Sequence, residues 1–237
     1  LRHLRRGSEL GLEWGKLLMI TIEQVKSSEA IHTYIEKEDE SLKALGFTDH
    51  SFPHVGKVSK TAKEILLTLG YSEREAELAE IAGYLHDIGN IVNRTDHAQS
   101  GAIMAFRILD NMGADPADIA TIITAIGNHD ESTAVAVNPI TSALILADKT
   151  DVRASRVRNN DIATFDIHDR VNYSVKRADL EIDREKREIE LKLQIDTDFC
   201  SVMDYFEIFL NRMILCRKAA ERLGRRFRLS VNGQILL

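Results

Sequence analysis

The chain has 237 residues, 44% of them hydrophobic and 29% charged, with a formal net charge of −6. This is ordinary globular composition, enough for one large domain or a core domain with an appendage, and its acidity excludes a general nucleic-acid binder. No apolar run reaches the ~18 to 20 residues that span a bilayer, which excludes a membrane partner of that kind. Cys200 and Cys216 share one amphipathic segment, so they read as core residues of a cytoplasmic protein and not as a disulfide framework.

Arg2, Arg5 and Arg6 precede Gly7, but the run Leu17 to Ile20 is too short for a signal-peptide core. Met19 would serve as a start, so residues 1–18 are expected to be an upstream extension or a non-native segment. The domain proper is expected over 19–160 and an appendage over 161–237.

Residues 21–45 read as one helix, opened by Thr21 and Gln24 at capping-box spacing and closed by Gly46. A short loop holds His50. The next helix starts near Pro53, carries His54 and Lys57, and ends at Gly70. Ser72 and Glu75 open a helix that runs to about His86, before Gly89. A polar connection with Arg94 follows. Asp96 and Gln99 have capping-box spacing, and His97 falls in the first turn behind them. Asp115-Pro116 and Asn138-Pro139 each combine an N-cap with a proline at the first helical position. The first of these helices delivers His129 at its far end, and the second delivers Asp148.

The pattern changes after about residue 160. Val171, Tyr173 and Val175 alternate, and Ala178, Leu180 and Ile182 alternate in the opposite phase, so a strand with a bulge or break near 176–177 is expected. Ile189 to Ile195 alternates cleanly and completes a hairpin. Asp198 to Leu223 reads as a long amphipathic helix with a Met and Phe stripe in the core. Phe227 to Val231 reads as a short strand before the turn dipeptide Asn232-Gly233.

Successive helices thus place His54, His86, Asp87, His97, His129 and Asp148 at ends or on inward faces. Imidazole and carboxylate together suit a borderline divalent metal, and a carboxylate with two oxygens can serve two ions. This order of residues resembles the HD-domain metal-dependent phosphohydrolase superfamily. The resemblance rests on His54 with Lys57, Val58 and Ala62, on His86-Asp87-Ile88-Gly89, and on Ala147-Asp148-Lys149. It covers residues 47–158 and is moderately specific in itself. His97 in His-Ala-Gln-Ser-Gly-Ala and His129 in Gly-Asn-His-Asp resemble the extra histidines of dinuclear members.

The resemblance implies a mainly helical bundle carrying the α+β appendage. It implies one metal held by His54, His86, Asp87 and Asp148, and a second held by Asp87, His97 and His129. It further implies hydrolysis of a phosphate ester or anhydride by a metal-activated water, with a small phosphorylated substrate such as a nucleotide. Fe, Mn, Co, Ni or Zn fit mixed N/O ligands better than Ca or Mg. Asp130, Lys149 or His50 could protonate the leaving group. Lys57, Arg94, Arg153 and Arg156 are candidate phosphate contacts. Two other readings stand beside this one: a regulatory module that binds metal and nucleotide without turnover, and a di-iron oxygenase. The appendage could cover the pocket, build a homodimer interface, or complete the fold.

Overall fold

Capping side chains set the helix boundaries in this computed structural model, which describes residues 19–237; the expected extension over 1–18 lies outside them. Helix α1 (Ile22–Lys26) begins with the reciprocal Thr21 and Gln24 box. It stops at Ser27, and α2 (Glu29–Ala44) restarts under Ser28, whose hydroxyl accepts from the Ile31 amide. The single helix expected over 21–45 is therefore two. Apolar spacing continues through the break, but serine side chains compete for backbone hydrogen bonds and favour caps.

Helix α3 (Phe52–Leu69) has Pro53 in its first turn and ends at Gly70, whose φ of 89° supplies a left-handed cap. Helix α4 (Glu73–Leu85) has the full Ser72 and Glu75 box. A 3-10 turn, Ile88–Ile91, leads toward α5 (His97–Asn111). The capping box expected at Asp96 does not form. Asp96 takes a left-handed φ of 57° and its side chain caps nothing. Asp115 and Asn138 cap α6 (Pro116–Gly127) and α7 (Pro139–Lys149) as their spacing predicts.

Helix α7 is buried all round, from Ile140 to Lys149, because α3, α4, α6 and α9 pack around it. Its last turn carries Asp148 into the interior. Helices α3 and α4 lie in close contact at Gly83, where a Cβ would stand 2.7 Å from Ser59 Cα. Gly89 is tighter still: a Cβ there would fall 2.0 Å from the His97 carbonyl oxygen. These two glycines let the ends of α3, α4 and α5 meet.

Residues 171–174 are not strand. They close α8 (Ile167–Ser174), capped by Asp166. Val171 and Val175 are four apart as well as alternate, and both are buried. Strand β1 (Val175–Asp183) follows directly and pairs antiparallel with β2 (Glu188–Ile195). Its register shifts between Val175 and Arg177, where the phase of the pattern predicts a bulge. Helix α9 (Val202–Arg222) starts later than Asp198, at the Ser201 and Asp204 box.

Strand β3 (Arg226–Val231) joins β2 in parallel, and β4 (Gln234–Ile235) adds a short antiparallel edge after the Asn232-Gly233 turn. The sheet order is β1-β2-β3-β4. One continuous cluster of buried side chains runs from Ile20 through α3, α4 and α7 to Phe209, Leu229 and Val231. Both cysteines are free and buried. Among the described residues no helix is long and apolar enough to cross a membrane.

Candidate metal centre

Four histidines present the same nitrogen to a shared interior point. The Nδ1–H of His54, from α3, donates to Asp151 Oδ2 at 2.8 Å. His86, at the end of α4, donates from Nδ1 to the Gly83 carbonyl at 2.8 Å. His97, opening α5, donates to the Arg94 carbonyl at 3.0 Å, and His129, after α6, to the Ile126 carbonyl at 2.6 Å. A carbonyl or carboxylate oxygen can only accept, so these contacts fix a proton on Nδ1 and leave Nε2 facing inward. Outer hydrogen bonds of this kind orient metal-binding imidazoles.

Asp87 divides its two oxygens between the histidines. Its Oδ2 lies 3.1 Å from His86 Nε2 and 3.5 Å from His54 Nε2. Its Oδ1 lies 3.4 Å from His97 Nε2 and 3.9 Å from His129 Nε2. Asp148 joins the first pair, with Oδ1 at 3.5 Å from His54 Nε2 and 3.7 Å from His86 Nε2. Two sets of side chains have donor atoms close enough to share an ion: His54, His86 and Asp148, and His86, Asp87 and His129.

The residues fit a cation. The Nε2 atoms of His54 and His86 are buried without a hydrogen-bond partner, which is costly unless something binds there. His97 and His129 bring their Nε2 atoms to 3.3 Å of each other. With the protons on Nδ1, these are two lone pairs face to face, an arrangement that a cation between or beside them relieves.

The two pairs differ electrically. Burial pushes the His86 imidazolium down, but the Asp87 and Asp148 carboxylates outweigh it and raise it to about 10. Burial and Arg156 also press on His54, and the carboxylates of Asp148, Asp151 and Asp87 raise it nonetheless. In the second pair burial wins. It lowers His97 against the pull of Asp87, and with Lys149 it lowers His129 to about 3. The carboxylates of Asp87 and Asp148 stay ionised despite burial: His86 and His54 hold the first well below the usual range, and Lys149, His54 and His86 the second. Protons would thus compete with a metal ion for the first pair.

Beside the cluster lies a cleft of about 260 Å³. His50, Arg94, Arg156 and Arg212 line it, together with Phe47 and residues of α8. Arg94 donates to Asn90 Oδ1 at 3.0 Å and comes within 4.0 Å of Asp87 Oδ1. Arg156 is buried and donates to the Asp49 and Asp151 carbonyls at 3.0 and 2.9 Å. His50 donates to the Thr48 carbonyl at 2.6 Å, and burial holds its imidazolium well below the usual range, so a neutral ring faces the cleft. His168, given no role from sequence, also lines it.

Lys57 and Arg153 go elsewhere. Both pair with Asp151, at 2.7 and 3.0 Å, and neither lines the cleft. Lys149 is buried between Asp148 (2.7 Å) and Glu131 (3.0 Å). Burial would lower its pKa, but these carboxylates raise it, so the ammonium is firmly charged. Asp130 is partly exposed, with Oδ1 3.9 Å from His97 Nε2 and Oδ2 accepting from the Ser132 hydroxyl at 2.5 Å.

Three groups at the site were given no role from the sequence. Asp151 orients His54 from 97 residues away. Glu131 links Lys149 to Arg212. Glu38, buried on α2, accepts at 3.3 Å from the same Asn90 amide that donates to Asp87 Oδ1 at 3.1 Å. Asp151 does stand in the Ala147-Asp148-Lys149-Thr150-Asp151 stretch, the nearest thing to a marker.

Residues 52–158 match the family model described as the HD domain. No curated protein matches the chain. Among solved structures it is similar to a predicted HD superfamily hydrolase from an uncultured Thermotogales bacterium, at 26% identity and a TM-score of 0.41, covering 55% of this chain and 73% of that one. His54, His86, Asp87, His97, His129 and Asp148 all fall inside the span that matches the HD domain.

Proposed function

We propose that the protein is a dinuclear phosphohydrolase that cleaves a phosphate ester or anhydride of a nucleotide-sized small molecule, with the protein's own side chains protonating the leaving group. The observation that carries this reading is the division of Asp87, one oxygen toward His54 and His86 and the other toward His97 and His129. Divalent cations bound there would neutralise phosphate charge and acidify a water. The mixed imidazole and carboxylate set suits Fe, Mn, Co, Ni or Zn.

The chain's own residues supply the rest. Arg94 and Arg156 keep one edge bonded to protein and turn toward the cleft, where a guanidinium can take a phosphate oxygen. Asp130 is the better placed proton carrier, because it is partly open and beside His97. Lys149 is committed to two carboxylates and instead holds Asp148 in place.

The test is a panel of nucleotides and simple phosphate esters offered to Mn- or Fe-loaded protein. Phosphate or nucleotide should be released from at least one member, and Asp87→Ala should abolish the release. Full activity in Asp87→Ala would contradict the mechanism. Consumption of O₂ without phosphate release would favour the oxygenase reading, and metal binding with neither reaction the regulatory one.

A further inference from the structure

Helix α9 lies outside the matched span, yet it sends Arg212 into the cleft beside Arg94 and Arg156. Its Nε pairs with Glu131 Oε1, and its guanidinium stands 4.6 Å from the centre of the Phe209 ring. Glu131 in turn pairs with Lys149, next to Asp148. A chain of ion pairs therefore fixes Arg212 relative to the candidate metal ligands. Burial would raise the Glu131 pKa, but Lys149 and Arg212 outweigh it and leave the carboxylate firmly ionised.

All three arginines are built alike. Each has an edge tethered to protein: Arg94 to Asn90, Arg156 to two backbone carbonyls, Arg212 to Glu131. Each leaves guanidinium nitrogens for the cleft. Arg212 lies near enough to Arg156 to depress its pKa, alongside the larger effect of burial. Two like charges facing one space repel, and an anion between them removes the repulsion. The phosphate at the metal cluster has Arg94 beside Asp87 for its own oxygens. Arg156 and Arg212 then leave positive charge in the cleft for one further anionic group.

We infer that the cleft takes a substrate with a second phosphate group, seated between Arg156 and Arg212, and that Glu131 is the positioning residue for Arg212. This rests on the phosphohydrolase reading above and narrows it from organic phosphates at large to diphosphate-bearing compounds. At about 260 Å³ the cleft lies just under the ~300 Å³ lower end of small-molecule sites. It suits a compact charged unit with the organic part at the mouth. There the α8 carboxylates Asp166 and Asp169 face the cleft and can accept from hydroxyl or amino groups.

The test is titration calorimetry of the full chain with inorganic pyrophosphate and with inorganic phosphate, without added metal. Pyrophosphate should bind roughly ten-fold or more tightly than phosphate, the scale of one charge-assisted contact. Arg212→Ala should remove that preference, Arg212→Lys should keep part of it, and Glu131→Gln should weaken it. Arg217→Ala, on the same helix but paired with Glu221 and outside the cleft, should change nothing and controls for folding. Equal affinities in the wild type, no binding of either anion, or a preference surviving Arg212→Ala would overturn the inference. Binding that behaves as expected in a protein with no turnover would instead count against the hydrolase reading alone.

Discussion

An imidazole is held ready for a metal when its other nitrogen is bonded to an acceptor. His54 shows this most clearly, because its Nδ1 partner is a carboxylate, Asp151, and not a backbone carbonyl. Asp151 is fully buried at its side chain and also holds Lys57 and Arg153. Removing it frees His54 to rotate or change tautomer and strands two cations. Asp151→Ala should therefore weaken divalent-metal affinity by about 10- to 100-fold, measured by competition against a chromogenic chelator. Unchanged affinity would mean that packing alone orients the ring. The candidate ligands were legible from sequence, since His86-Asp87 and the histidines around it follow a known order. Asp151, Glu131 and Arg212 were not, because their roles exist only as contacts across long stretches of chain: 54 with 151, and 131 with 212.

Elements meet at the site because two positions carry no side chain. Gly83 lets α4 lie on α3, and with it His86 beside His54. A methyl group there would meet Ser59 backbone atoms at 2.7 and 2.9 Å, and backbone cannot swing aside as a side chain can. Gly83→Ala should cost about 1–3 kcal/mol by overpacking, read from urea unfolding, with metal affinity falling in step. A wild-type unfolding midpoint would show that the helices can separate freely. Helix starts were legible wherever a cap is local, as at Ser72, Asp115 and Asn138. The break between α1 and α2 was hidden by apolar spacing that continues through Ser27 and Ser28. Helix α8 was read as strand because Val171, Tyr173 and Val175 satisfy both periods, and only packing decides between them.

At the scale of the molecule, the C-terminal part is joined to the helical domain by one core and one charge network. Helix α9 packs on α7 with Tyr205, Phe209 and Met213 buried, and the same helix supplies Arg212. The bulge, the hairpin and the long helix were all visible in the sequence pattern. That β3 would join β2 in parallel was not, since pairing of distant strands leaves no local trace. The account depends on two cations sharing Asp87. Anomalous diffraction from crystals grown with Mn tests this most directly. It should show two peaks flanking the Asp87 carboxylate, one against His54, His86 and Asp148 and the other against His97 and His129. A single peak with His97 and His129 unliganded, or none at all, would contradict it.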